Sequence, residues 1–154
     1  TGSFSVYAAA GGASEIVSVD LSNTYLKWAI ENMELNGLYD PSRHHYLQED
    51  VKQYLGNMPP DYFDLIIMDP PTFSNSKRMK DFLDIQRDHP RLINQAIRGM
   101  RPGSELYFST NFSRFQLQEQ EIQDASVKDI TRSTTPFDFQ GRLKRYCFCI
   151  TRRE

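Results

Sequence analysis

The chain has 154 residues, of which 39% are hydrophobic and 25% are charged, and its formal net charge is −2. This length is typical of one domain with a buried core. A net charge near zero gives no sign of the strongly basic surface that is typical of nucleic-acid-binding proteins. No apolar run approaches the ~20 residues that span a bilayer, and no signal-peptide pattern is present, so we expect a cytoplasmic location and no membrane partner.

Alternating helix and strand patterns run along the chain. The helices are predicted at Ser3–Ala10, 22–36, 84–100 and 115–124, and the strands at 15–20, 45–50, 62–69, 104–110, 126–132 and 145–151. Ser22 is a favourable helix cap, with Tyr25, Leu26, Ala29 and Met33 at helical spacing along one face. Gly11-Gly12 ends the first helix, residues 101–103 form a turn, and 133–143 form a loop.

This order predicts an α/β fold with an open, mostly parallel sheet, closed by an antiparallel hairpin of the last two strands. Ligands of such sheets bind outside the carboxyl ends of the strands. Three predicted strands end in an acid at that edge, namely at Asp20, Asp50 and Asp69. A single acid there is usually a cap or a turn residue, but three together suggest one shared pocket.

The start of the chain has the character of a nucleoside site. Glycine in Thr1-Gly2-Ser3-Phe4 lets the backbone approach a ligand, and the following helix begins with free N–H groups. Asp20 follows Gly2 by eighteen residues, a spacing at which a strand-end acid can meet ribose hydroxyls. Asp50 could accept a hydrogen bond from an adenine amine, with Val51 against the ring. Because the dinucleotide fingerprint is incomplete and no phosphate loop with a lysine is present, a ligand without a pyrophosphate fits better.

A stiff elbow follows the strand at 62–69. Pro70 and Pro71 fix φ and remove two N–H donors, so the carbonyls beside the Asp69 carboxylate can face a planar ligand that carries N–H groups. Phe73 could stack on such a ligand. A strand that simply ends in a turn is the alternative. Residues 77–101 hold seven bases and three acids, and this basic flank could meet phosphates or be a solvated helix face.

Four stretches together resemble a known family: "TGSFSVYAAAGGA", "VDLS" with "TYL", "WA" and "LNGL" after it, "DPPTFSNSKRM" and "QRDH". They are similar to class I S-adenosylmethionine-dependent base methyltransferases, in particular to bacterial domains that methylate guanine N7 of 23S rRNA. The resemblance implies a Rossmann-like sheet, S-adenosylmethionine as cofactor and 23S rRNA as partner. No metal is expected, because no second Cys/His pair supports a metal site. The resemblance also implies that residues 1–154 are one catalytic domain, whose larger protein carries an RNA-binding module and a second methyltransferase domain.

The resemblance also assigns roles to residues of this sequence. The cofactor-binding set is Thr1, Gly2, Ser3, Phe4, Asp20, Leu21, Ser22, Asp50, Val51 and Asp69. The set at the reacting base is Asp69, Pro70, Pro71 and Phe73, and the further substrate-binding set is Thr72, Phe73, Lys77, Arg78 and Asn111. In this family a hydrophobic strand precedes the TGSFS segment, whereas this chain starts at Thr1. We therefore expect the first strand of the sheet to be absent and the chain to be an N-terminally truncated piece.

The N7 atom of guanine carries an in-plane lone pair, so no general base is needed for it to attack a sulfonium methyl. We expect Asp69 to orient the base, and Lys77, Arg78 or Asn111 to donate to its O6. Cys147 and Cys149 share one face of the last strand and are expected to be reduced core residues away from the pocket, which argues against cytosine C5 transfer. Adenine N6 transfer, a non-catalytic nucleoside-binding domain and a nicotinamide oxidoreductase remain alternatives.

Overall fold

The computed structural model describes residues 2–74 and 83–154 of the chain. The chain divides into two compact units, Thr1–Tyr54 and Leu55–Glu154, with the boundary inside a helix. The first unit contains α1 (Ser3–Ala10), β1 (Ile16–Asp20), α2 (Asn23–Leu35), β2 (His44–Gln48) and the start of α3 (Val51–Asn57). The second contains β3 (Phe63–Met68), β4 (Phe73–Ser74), β5 (Leu83–Asp84), α4 (Ile85–Gly99), β6 (Met100–Thr110), β7 (Ala125–Asp129) and β8 (Tyr146–Arg152).

In the first unit, β1 and β2 form a parallel two-stranded sheet whose register ends with Asp20 opposite Gln48. Both predicted helices are confirmed: α1 ends at the predicted glycines, and Ser22 caps α2 by accepting from the Tyr25 N–H at 3.3 Å. α2 buries Leu26, Ala29 and Met33, as its spacing predicts. Tyr25 is an exception because it is half exposed beside the ring of Trp28.

The second unit has a four-stranded sheet in the order β3-β6-β8-β7. β3 and β6 are parallel, whereas β8 is antiparallel to both β6 and β7. The predicted closing hairpin of β7 and β8 is therefore confirmed. The expectation of a mostly parallel sheet is not, because among the described strands this sheet has one parallel and two antiparallel pairs. The parallel pairs are β1–β2 and β3–β6, since only the strands before the hairpin are joined by crossover helices.

The turn predicted at residues 101–103 lies inside β6 as an irregularity of the strand. The register shifts from Phe63 opposite Met100 to Leu65 opposite Glu105, so β6 carries extra residues there. Gly103 has a φ of +77°, a conformation that glycine adopts without steric strain. Past this bulge, Leu106 and Phe108 are fully buried on the face of the sheet that packs against α4.

Helix α4 begins where the pattern predicts, because Asp84 caps it by accepting from the N–H groups of Gln86 and Arg87. Pro90 lies inside the helix and cannot donate to the Gln86 carbonyl. The Nδ1 of His89 lies 3.0 Å from that carbonyl and 3.0 Å from the Ile85 carbonyl, and it supplies the missing donor. A proline is therefore tolerated in this helix because the residue before it caps the exposed carbonyl.

The predicted helix over 115–124 is wrong. Only a short 3₁₀ turn, Glu119–Glu121, forms there. Side chains of α4 occupy the backbone groups that a helix would use: Gln86 accepts from the N–H of Gln116, His89 Nε2 from Gln118 and Asn94 from Gln123. Side-chain hydrogen bonds thus replace the i to i−4 bonds, and the segment runs along α4 instead of coiling.

The sequence pattern also missed helix α3, which begins directly after Asp50. Asp50 starts it in the manner of a cap: its carbonyl accepts from Gln53 and Tyr54, and its Oδ1 accepts from the Lys52 N–H at 2.8 Å. A seven-residue helix with a single buried side chain, Leu55, gives too little periodicity to be detected.

His89 makes the stability of the second unit dependent on pH. Burial lowers the pKa of His89 below its usual value of 6.5, and the Nε2 atom must stay unprotonated to accept from Gln118. In the unfolded chain His89 binds a proton as the pH falls through 6.5, whereas in the folded chain it stays neutral at that pH. The stability that neutral His89 contributes is therefore fully present above pH 6.5 and is lost as the pH falls below it. We expect the free energy of unfolding to decrease between pH 7.5 and 5.5, and to decrease less in the His89→Leu variant. Urea titration of both proteins at each pH measures this difference. Equal slopes for the two proteins would contradict this account.

Among the described residues, no helix has the length and apolar character needed to cross a bilayer. Over the same residues, no group of three or more His, Cys, Asp or Glu side chains is arranged to hold a metal ion.

Candidate functional site

The first part of the candidate site is the carboxyl edge of the β1–β2 sheet. Asp20 is the last residue of β1, and its Oδ1 accepts from the backbone N–H of Ser22 at 2.7 Å. The Leu21 carbonyl accepts from Gln48 Nε2 at 3.1 Å, which ties the turn after β1 to the end of β2. The Ser22 bond orients the Asp20 carboxylate, and no described residue forms a hydrogen bond with its second oxygen.

Asp50 lies two residues beyond β2 and is buried, although it is ionisable. A buried carboxylate needs hydrogen-bond donors, and the Lys52 N–H in the first turn of α3 donates to the Oδ1 of Asp50. Val51 is the first residue of α3. Asp20 therefore ends β1 and Asp50 lies just beyond β2, at the same edge of this sheet. The cofactor-binding roles of these two acids stay predictions.

Gly2 precedes α1 in a left-handed conformation with a φ of +78°. A Cβ at this position would lie 2.4 Å from the Cβ and 2.6 Å from the Cα of Ala29. The glycine therefore permits both the turn into α1 and the close approach of α2. Ser3 and Phe4 occupy the first turn of α1, and the Phe4 ring is half exposed.

The second part of the candidate site is the carboxyl edge of β3 and β6. Asp69 follows β3 directly, and its Oδ1 accepts from Ser109 Oγ at 2.6 Å. The parallel register, with Met68 opposite Phe108, places these two residues side by side. Ser109 thereby fixes the rotation of an otherwise exposed carboxylate, and no other described residue donates to that carboxylate.

A second hydroxyl orients a second polar side chain at this edge. Thr72 Oγ1 donates to Asn111 Oδ1 at 2.7 Å, and Asn111 follows β6 by one residue. Asn111 is exposed, its amide oxygen accepts from Thr72, and no described residue accepts from its two N–H groups, so these groups can donate to a ligand. The β3–β6 edge therefore offers an acceptor at Asp69 and a donor at Asn111, each held by a hydroxyl.

The elbow after β3 is connected back to α4. Pro70 and Pro71 follow Asp69, the Thr72 carbonyl accepts from the Ile85 N–H at 3.2 Å, and the backbone of Phe73 pairs with that of Asp84. The candidate residues Thr1, Lys77 and Arg78 lie outside the described residues. Ser109 was not predicted, because a serine inside an apolar strand carries no signal until the register with Asp69 is known.

The candidate residues thus fall into two sets, one in each unit. Asp20 and Asp50 share the edge of the first sheet, and Asp69, Thr72 and Asn111 share the edge of the second. The convergence of all three acids on one pocket stays a prediction. A cavity of about 510 Å³ in the first unit is a different feature, because its lining includes Arg43 and His44 at the beginning of β2, the edge opposite to Asp20.

The cysteines differ from each other in placement. Cys147 lies opposite Ser109 in the register of β6 and β8, closer to the Asp69 edge than the sequence pattern predicts, because β8 returns antiparallel to that edge. Its side chain is buried, so it presents no thiol to a ligand. Burial and the nearby Glu105 raise the pKa of Cys149, which disfavours its thiolate.

Comparison with known proteins yields a family match. The family model described as S-adenosylmethionine-dependent methyltransferase matches residues 1–141. The chain is 49% identical, over 97% of its length, to the ribosomal RNA large subunit methyltransferase K of Neisseria meningitidis serogroup B, and it covers 43% of that protein. It is likewise 49% identical over 97% of its length to the ribosomal RNA large subunit methyltransferase K/L of Saccharophagus degradans, of which it covers 20%. The chain therefore spans less than half the length of these relatives.

Solved structures agree on the fold. The S-adenosylmethionine-dependent methyltransferase of Agrobacterium tumefaciens superposes with a TM-score of 0.71 over 99% of this chain and 53% of its own, at 20% identity. A methyltransferase from Mesorhizobium loti gives a TM-score of 0.70 over 98% of this chain and 86% of its own, at 15% identity. These similarities show an α/β methyltransferase fold, which agrees with the predicted α/β class.

Proposed function

Because this chain belongs to the family of S-adenosylmethionine-dependent methyltransferases, we propose that it transfers a methyl group from that cofactor to guanine N7 of 23S rRNA. The relatives that match nearly the whole chain are named for methylation of large-subunit ribosomal RNA. The structural observation that carries the choice of base is the hydroxyl-held pair of Asp69 and Asn111. This pair joins a hydrogen-bond acceptor and a donor at one sheet edge.

The residues of the first unit fit the cofactor. Carboxylates only accept hydrogen bonds, and one oxygen of Asp20 is engaged by Ser22 while the other can accept from ribose hydroxyls. The buried carboxylate of Asp50 suits an adenine amine, with Val51 beside the ring. Gly2, Ser3 and Phe4 contribute the start of α1. When bound, the cofactor supplies an electrophilic methyl group on a sulfonium centre.

Asp69 and Asn111 match the Watson–Crick edge of guanine. This edge carries two adjacent N–H donors, N1 and N2, followed by the O6 acceptor. A carboxylate can receive both donors, and the Asn111 amide can donate to O6. Reading the base in this way leaves N7 uncovered, since N7 lies on the other side of O6. Elbow residues Pro70, Pro71 and Phe73 would pack against the base.

The chemistry asks little of the protein beyond positioning. N7 attacks with an in-plane lone pair and loses no proton, so the role of Asp69 is to orient the base rather than to act as a base. The stiff elbow limits movement of the bound base because two consecutive prolines fix their φ angles. Lys77 and Arg78 would contribute further donors or phosphate contacts.

Two alternatives make different predictions. In methyl transfer to adenine N6, Asp69 would accept a hydrogen bond from the adenine amine. A non-catalytic nucleoside-binding domain would bind the cofactor but transfer no methyl group. To separate them, the protein is incubated with methyl-labelled S-adenosylmethionine and 23S rRNA that lacks the modification, and the RNA nucleosides are identified by mass spectrometry. We expect 7-methylguanosine. N6-methyladenosine, or cofactor binding in isothermal titration without any labelled nucleoside, would refute the proposal.

The wider setting is part of the same proposal. An rRNA substrate implies the cytoplasm. The relatives' greater length fits a larger protein with an RNA-binding module and a second methyltransferase domain, in which residues 1–154 form the catalytic domain for guanine N7.

Thr72 provides a test of the donor assignment. Thr72→Val keeps the shape of the side chain but removes the hydroxyl that fixes the Asn111 amide. We expect methyl transfer under single-turnover conditions to slow by about fivefold, which corresponds to the ~1 kcal/mol net contribution of one such bond. Thr72→Ser retains the hydroxyl and should react at close to the parent rate. If the valine variant reacted as fast as the serine variant, Asn111 would not need this orientation.

A further inference from the structure

The segment between β7 and β8, residues 130–145, emerges at the same edge of the second sheet as Asp69 and Asn111. We call this segment the β7–β8 loop. In the register of β6 and β8, Thr110 lies opposite Tyr146, so the end of the loop returns beside the end of β6. Tyr146 Oη also donates to the Ser113 carbonyl, at 3.4 Å, in the segment after Asn111. The loop is therefore a neighbour of the proposed base-reading pair.

This loop exposes apolar side chains that a folded chain normally buries. Phe137 is 89% exposed, and Phe139 and Leu143 are each 48% exposed. Phe137 and Phe139 bound the same 3₁₀ turn, so two aromatic rings project from one short element. Single exposed apolar residues are common, whereas a cluster of large ones on one turn indicates a binding surface.

Hydrogen bonds within the β7–β8 loop fix the backbone that carries these exposed side chains. Thr135 is buried, and its Oγ1 donates to the Thr131 carbonyl at 2.6 Å. Gln140 Nε2 donates to the Thr135 carbonyl at 3.2 Å, and Arg145 Nη1 donates to the Thr134 carbonyl at 2.8 Å. These bonds hold both ends of the turn, so Phe137 is presented at little entropic cost on binding.

The charge of the loop complements phosphates. It contains four basic side chains, Arg132, Arg142, Lys144 and Arg145, and one acid, Asp138. Within the described parts of the chain, no acidic side chain forms an ion pair with Arg132, Arg142 or Lys144. In the predicted basic flank, two of the bases are neutralised by acids: Arg87 pairs with Asp88 and Arg101 pairs with Asp64.

We propose that the β7–β8 loop binds the single-stranded RNA that flanks the target base, with Phe137 stacking on a nucleobase and Arg132, Arg142 and Lys144 contacting phosphates. Aromatic side chains interleaved with bases are the usual means of binding single strands without strict sequence preference. This inference rests on the proposed function for the identity of the RNA. It adds a surface that holds the strand while Asp69 and Asn111 read the base.

The test measures RNA binding separately from catalysis. A fluorescein-labelled single-stranded RNA of unmodified 23S sequence is titrated with the parent protein and with Phe137→Ala, Phe137→Trp and Leu35→Ala, and fluorescence anisotropy gives each Kd. We expect Phe137→Ala to weaken binding by about tenfold or more, since it removes one stacking partner. Phe137→Trp should bind like the parent because it keeps a stacking ring. Leu35 is 84% exposed on α2, so Leu35→Ala is the matched control and should change nothing.

The salt dependence of RNA binding tests the proposed contacts between the basic side chains and the phosphates. In the double variant Arg142→Gln with Lys144→Gln, the slope of log Kd against log salt should fall by about 0.7 for each charge removed. Unchanged binding by Phe137→Ala, an unchanged salt slope, or binding of phosphatidylserine vesicles in place of RNA would overturn the proposal. Failure of the proposed function is a separate result: a parent protein that binds RNA through Phe137 but transfers no methyl group would refute that function and leave this surface standing.

Discussion

Replacing Asp69 with alanine is expected to slow methyl transfer by about 100-fold, with little change in thermal stability. The substitution removes the carboxylate that receives the N–H donors of the base, and hydrogen bonds to charged groups contribute ~1.5–3 kcal/mol each. Because Asp69 is exposed and its one described partner is Ser109, its removal leaves no buried group unsatisfied. Single-turnover transfer to unmodified 23S rRNA measures the effect on the reacting step, and a thermal melt measures folding.

A matched control lies on the same strand. Asp64 is exposed on β3 and pairs with Arg101, so Asp64→Asn removes the same charge away from the sheet edge. We expect Asp64→Asn to react like the parent. Ser109→Ala should give an intermediate loss, since the carboxylate remains but is no longer held. Transfer by Asp69→Ala at the parent rate would show that the base is not read at this position.

Gly2→Ala is expected to destabilise the first unit by about 2–5 kcal/mol. The new Cβ would meet the Ala29 Cβ at 2.4 Å and the Ala29 Cα at 2.6 Å, and the left-handed φ of +78° adds strain for any other residue. Overpacking costs ~1–3 kcal/mol and the left-handed conformation ~1–2 kcal/mol. Urea unfolding measures the loss, and isothermal titration with S-adenosylmethionine should show weakened binding.

Gly12 separates the two causes. It also has a positive φ, +87°, but a Cβ there would meet nothing within 4 Å. Gly12→Ala should therefore lose only the conformational part, about 1 kcal/mol. The double variant of Gly2→Ala with Ala29→Gly should recover part of the lost stability because it removes the closest contact. If Gly2→Ala and Gly12→Ala were equally destabilised, the close approach of α2 would not be the reason for the glycine.

Much of the fold follows from local chemistry in the sequence. The end of α1 and the start of α2 were predicted because Gly11 and Ser22 are residues with a direct physical role at helix ends. The hairpin of β7 and β8 followed from two apolar runs separated by a polar loop. The placement of Asp20 and Asp50 followed from the parallel-sheet rule, which brings strand ends to one edge.

The remaining features depend on partners that are distant in sequence. Residues 116–123 have a composition that suits a helix, but side chains of α4, thirty positions earlier, take their backbone groups. Ser109 became recognisable only when the register placed it beside Asp69. The surface of the β7–β8 loop was likewise not predicted, because the sequence alone does not show whether a phenylalanine in a loop is buried, and only the fold shows that Phe137 is exposed.

The same distinction applies to the candidate site. Residue type predicted that acids would lie at strand ends, yet it gave no information on which oxygen of Asp69 is occupied or which end of the Asn111 amide faces outward. Two hydroxyls, from Ser109 and Thr72, decide these orientations. The sequence predicted guanine by resemblance alone, whereas the proposed reading of the base depends on hydrogen bonds that only the folded chain reveals.

The most direct measurement replaces the atom that is proposed to react. An unmodified 23S rRNA fragment is prepared with 7-deazaguanosine, in which a carbon replaces N7 while the Watson–Crick edge is unchanged. Transfer of labelled methyl groups is then compared with that to the guanosine fragment. We expect the 7-deaza RNA to bind with a similar Kd and to accept no methyl group. Methylation of both fragments at similar rates would contradict attack by guanine N7 and the site described here.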